Sequence, residues 1–137
     1  MADFVLPKSG LWANKVIPSK TTTAYAVGEW LQNDGTDNIP ATTSSQMLVG
    51  ICQEVKAVGT SGTAPLVMRV PVSVDATFEM VTSGTLTAAM VGSKFDLASS
   101  TTANQAASSY DPLTLTKFIS ATLGEYKLTY AMGLNAS

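Results

Sequence analysis

Between positions 66 and 80 the chain reads LVMRVPVSVDATFEM, and every even position is apolar: Leu66, Met68, Val70, Val72, Val74, Ala76, Phe78 and Met80. The odd positions carry Val67, Arg69, Pro71, Ser73, Asp75, Thr77 and Glu79. A period of two puts neighbouring side chains on opposite faces of an extended chain. The stretch therefore predicts one long β-strand, or two joined by a bend, with an oily face that builds core and a wet face. Pro71 has no N–H to give to a ladder, so it marks an edge position or a kink.

The same reading predicts further strands. AYAVGEWLQ (24–32) reads as a first strand with Trp30 in the core, and the dense turn signals of NDGTDNIP (33–40) follow. QMLVGICQEVKAV (46–58) is apolar on both faces at its start, and Gly50 points to a bulge or a close backbone approach. GTSGTAP (59–65) reads as a loop. TLTAAM can form one short helical turn, capped by Thr85 or Thr87 and ended by Gly92, before KFDL returns to extended chain. SSTTANQAASS (99–109) reads as a polar loop. PLTLTKFISAT and EYKLTYAMGL read as two strands around a hairpin at Leu123 and Gly124. Six to eight short strands and one helical turn predict an all-β fold, a small antiparallel β-barrel or sandwich.

Residues 1–20 break this pattern. Phe4-Val5-Leu6, Leu11-Trp12 and Val16-Ile17 are apolar groups separated by Pro7, Gly10, Asn14 and Pro18. Prolines exclude a regular helix, so the segment reads as an extended N-terminal arm ahead of a barrel domain at 21–137. Such an arm either packs on its own domain or reaches across a neighbouring subunit. Trp12 is its strongest contact candidate.

Composition narrows the function. At 137 residues one domain with a real core is expected. Only 13% of residues are charged, about half the usual share of roughly 25%, while Thr and Ser number 18 and 14. Net charge is −2, with seven scattered lysines and one arginine, which argues against nucleic-acid binding. No apolar stretch approaches the roughly 18 residues of a membrane helix, and the N-terminus lacks signal-peptide form. No membrane partner and synthesis in a cytoplasm are expected.

Chemistry is sparse. There is no histidine and one cysteine, Cys52, which reads as a buried small hydrophobe. Ser-His and Cys-His nucleophiles and a zinc site are therefore ruled out by composition. No phosphate-binding glycine loop occurs. Asp75 and Glu79, four residues apart on one strand, would lie roughly 13 Å apart, beyond the roughly 5–9.5 Å of paired glycosidase carboxylates. Asp34, Asp37 and Asn38 suggest a tight turn before they suggest calcium. No enzyme, no cofactor and no metal are expected.

Several phrases resemble the small capsid decoration, or cement, proteins of tailed bacteriophages: AYAVGEWLQNDG, MLVGICQEVKAVGTSG, VMRVPVSVDATFEM and AAMVGSKFDL, in that order, with a loop and a final strand pair after them. The resemblance spans residues 24–132 loosely. It implies a non-enzymatic β-barrel on the outer surface of a capsid, stabilising it against internal DNA pressure. The implied partners are the major capsid protein and the chain itself, as a homotrimer or a dimer. The implied place is the virion. The alternative is another virion structural protein, such as a tail or receptor-binding module. Members often grip with a terminal arm. The interface candidates are therefore Phe4, Leu6, Leu11, Trp12 and Ile17 on the arm, and Arg69, Asp75 and Glu79 on the wet face of 66–80.

Overall fold

The computed structural model describes residues 4–18, 23–33, 37–45, 47–55, 65–73 and 75–129. Eleven strands are described. They are β1 (Leu6–Ser9), β2 (Trp12–Pro18), β3 (Trp30–Asn33), β4 (Asn38–Pro40), β5 (Leu48–Cys52) and β6 (Pro65–Pro71), then β7 (Thr77–Ser83), β8 (Lys94–Leu97), β9 (Thr102–Asn104), β10 (Leu113–Ser120) and β11 (Leu123–Leu128). One 3-10 turn, Ala88–Met90, lies between β7 and β8.

The oily face of 66–80 divides between two sheets. β6 is in a five-stranded sheet of order β2-β6-β5-β3-β4. β7 is in a six-stranded sheet of order β1-β7-β11-β10-β8-β9, and β7 also pairs with β9. That second pairing closes β7, β11, β10, β8 and β9 into a barrel. The expected all-β barrel with one short helical turn is the fold observed. One seam departs from the expected antiparallel pattern, because β7 and β9 run parallel.

Two buried clusters follow from this division. Phe78 and Met80 lie in the larger one with Leu97, Leu113, Leu115 and Tyr126 from the barrel, and with Trp30, Leu48 and Ile51 from the five-stranded sheet. Leu66 and Met68 lie in the smaller one with Ile17, Tyr25, Leu31 and Cys52. Adjacent residues Trp30 and Leu31, and Ile51 and Cys52, fall in different clusters. Side-chain alternation thus lets one sheet bury both faces. Trp30 and Cys52 are buried as expected.

Between the two clusters the chain turns a corner. Pro71 ends β6, and residues 72, 73, 75 and 76 carry the chain towards β7. The kink expected at Pro71 is present. The edge reading is not, because β6 lies between β2 and β5. Val72, on the predicted oily face, is 40% exposed at this corner. Val74 lies outside the described residues.

Several boundaries differ from expectation. The strand at 24–32 begins only at Trp30, because Gly28 holds φ +86 in a turn. The polar run 99–109 contains β9, the strand that closes the barrel. Its Ala103 is the buried residue that a low-complexity reading overlooks. The last hairpin turns at Ala121 and Thr122, two residues before the expected point. Gly124 instead lies inside β11, where a Cβ would sit 2.7 Å from Leu115 Cδ1; the glycine serves close packing rather than a turn. Thr87 occupies the cap position of the 3-10 turn but makes no side-chain capping bond. The pairing shifts register beside Gly50, in agreement with the expected bulge. Within the predicted 33–40 turn, Asn38–Pro40 form β4 instead, while residues 34–36, most of the 59–65 loop and the end of the last strand lie outside the described residues.

Candidate contact surface on the N-terminal ribbon

Of the candidates on residues 4–18, Leu6 stands on β1 and Trp12 and Ile17 on β2, with Phe4 before β1 and Leu11 between the two strands; both strands pair with the chain's own sheets. β2 pairs with β6 along its whole length, from Trp12↔Pro71 to Pro18↔Pro65. β1 pairs with β7, at Leu6↔Glu79, Pro7↔Phe78 and Ser9↔Thr77. The segment is extended, as its sequence predicts. It forms a bent ribbon with 65–73 and 75–79, and its two strands belong to different sheets. The strands of the closed barrel lie within 77–128, and β2 to β6 build the other sheet.

The ribbon turns its corner at Gly10. Its φ of +80 is costly for any residue with a Cβ, and a Cβ there would lie 2.7 Å from the Ala76 nitrogen. Leu11 N–H donates to Ser73 Oγ at 2.9 Å, and Val72 N–H donates to the Leu11 carbonyl at 2.9 Å. The two sheet-to-sheet crossings therefore lie against each other.

Beside exposed Lys8, Ser9, Asn14 and Lys15, the ribbon shows four large apolar side chains to solvent. Phe4 is 41% exposed, Leu6 50%, Leu11 66% and Val16 63%. Ile17, the other candidate on the arm, is buried in the smaller cluster. It anchors the ribbon and is removed from the contact list. Alternation puts Val16 and Ile17 on opposite faces, and the pairing chose Val16 for the outside. Sequence reasoning missed Val16 and Val72; the first needed the register, while the kink at Pro71 already signalled the second. Among the described residues β2 is paired on one edge only.

Trp12 is half-buried. Its ring meets Phe78 edge-on, with centroids 6.3 Å apart, and its Nε1 donates to the Ser9 carbonyl at 3.0 Å. On β6, Arg69 holds its guanidinium 5.9 Å from the Trp12 ring centroid. Glu79 forms a 3.0 Å salt bridge with Lys8. Asp75 is exposed at the corner, before β7 begins, so it shares no strand with Glu79. The structure thus brings Trp12 and Arg69 together, sets Glu79 beside Leu6, and leaves Asp75 apart from both.

Elsewhere the acids bind the fold. Glu29 accepts from Ala26 N–H at 2.8 Å and from Ser100 Oγ at 2.8 Å, which ties the turn before β3 to the loop before β9. Buried Asp96 accepts from the backbone N–H groups of Ser109, Tyr110 and Asp111 at 3.0, 2.7 and 2.8 Å. Among the described residues no group of three or more His, Cys, Asp or Glu is placed to hold a metal, and no helix is long and apolar enough to cross a membrane.

No protein-family model matches the chain, and no curated protein matches it significantly.

Proposed function

We propose that this chain is a structural virion protein that binds the outer surface of a phage capsid and stabilises it. The observation that supports this reading is the exposure of four large apolar side chains, Phe4, Leu6, Leu11 and Val16, on the N-terminal ribbon. A soluble monomer gains nothing by showing these side chains to water, whereas a contact surface does. The ribbon is hydrogen-bonded along both arms, so these side chains are held on a rigid base and little ordering entropy is lost on binding. A sparse-charge, Thr-rich surface is also cheap to desolvate. The partner is the major capsid protein. Symmetric lattice sites favour a symmetric homo-oligomer, for which a trimer is the first choice.

The test is co-sedimentation with expanded, DNA-free capsid shells. The wild-type protein should pellet with the shells and raise their melting temperature. The double substitution Leu6→Ser, Leu11→Ser should stay in the supernatant while keeping its own melting temperature. A wild-type protein that never pellets overturns the reading.

A further inference from the structure

The chain has eight cationic side chains and only one is arginine. That arginine sits on an interior strand, in register with Asn14 on one side and Ile51 on the other. Its guanidinium lies over the Trp12 ring. Among the described residues the one salt bridge joins Lys8 to Glu79, so Arg69 is ion-paired with none of the described carboxylates. Lys8, by contrast, is already neutralised on the same ribbon.

The Trp12 ring is itself held from two sides, by Phe78 and by the Ser9 carbonyl. A cation–π contact of this kind leaves the guanidinium N–H donors available. Next to Trp12 and Pro71 in the chain, exposed Leu11 and Val72 are joined by a backbone hydrogen bond at the ribbon's corner. Trp and Arg are among the residue types most enriched at interface hot spots. The chain's net charge is −2, so the one unpaired arginine is a positive point on a mildly acidic body.

We infer that Arg69, lying over the Trp12 ring, is the cationic anchor of the contact surface and takes a carboxylate of the partner protein in a forked ion pair. The inference rests on the capsid-binding reading and adds the chemistry of the partner's side: an Asp or Glu set among apolar residues. Half-buried beside an aromatic ring, the Arg69 guanidinium forms such a pair with less loss than a free lysine would.

The experiment measures affinity for capsid shells at about 50 and about 500 mM NaCl, for the wild type, Arg69→Lys and Arg69→Gln, with melting temperatures as the check on folding. Arg69→Gln should bind about tenfold or more weakly at low salt and lose much of the wild type's salt dependence. Arg69→Lys should fall between them. A wild-type affinity that does not respond to salt overturns the inference without any variant being needed. So does a folded Arg69→Gln protein that binds as tightly as wild type. If the wild type fails to bind at all, the capsid reading fails instead, which separates the two results.

Discussion

The hydroxyls of Tyr126 and Thr82 meet at 2.6 Å inside the barrel, with both side chains buried. Burial raises the Tyr126 phenol above its ordinary value of 10.0, and the bond from Thr82 pulls weakly the other way. The unfolded chain therefore releases this proton at lower pH than the folded one. The contribution to stability is full below pH 10 and is lost as pH rises from there through the folded-state value. Urea unfolding between about pH 8 and 11 should show a wild-type decline that is shallower in Tyr126→Phe. Parallel curves would refute the assignment.

Asp96 holds three consecutive backbone N–H groups of the 109–111 loop. Asparagine keeps the shape but loses the charge and turns an NH₂ towards those donors. Asp96→Asn should cost about 2–3 kcal/mol, read from chemical unfolding at neutral pH. A loss under about 0.5 kcal/mol would mean the loop is held by other contacts.

Phe78 is the hub of the aromatic core. Its ring lies 4.8 Å from Trp30, 6.3 Å from Trp12 and 6.4 Å from Tyr126, centroid to centroid. Phe78→Ala should cost about 3–5 kcal/mol, and Phe78→Asp should prevent folding by placing a charge among these rings. A cooperatively melting Phe78→Asp protein would contradict the observed facing of β7.

Deleting residues 1–18 would strip β6 and β7 of their β1 and β2 partners, and would remove Val5 and Ile17 from the two cores. The truncated protein should be unfolded or aggregated by circular dichroism and gel filtration. If it melts cooperatively as a soluble protein, the ribbon is an accessory after all.

Much of this fold was legible from period and punctuation. The alternation at 66–80 identified both β6 and β7, and Pro71 located the break between them. The hydrophobic pattern could not say that the two halves enter different sheets, because alternation describes a face and not what covers it. The proposed contact surface was legible in the same measure. Apolar pairs on a proline-broken segment marked the ribbon, but choosing Val16 over Ile17 required the register with β6. β9 was hidden because three residues of Thr, Ala and Asn carry no strand signal of their own. Their conformation is set by Val81, Thr82 and Ser83 across the seam.

That seam has a kinetic consequence. The five barrel strands occupy one uninterrupted run of chain, 77–128, and the closing pair joins segments only about twenty residues apart. The barrel can therefore assemble from local contacts, before the distant ribbon docks along 65–79. The three-residue parallel ladder is then the last piece of the wall to set and the first to breathe, so amide exchange at Thr102, Ala103 and Asn104 should outpace that of β10 and β11.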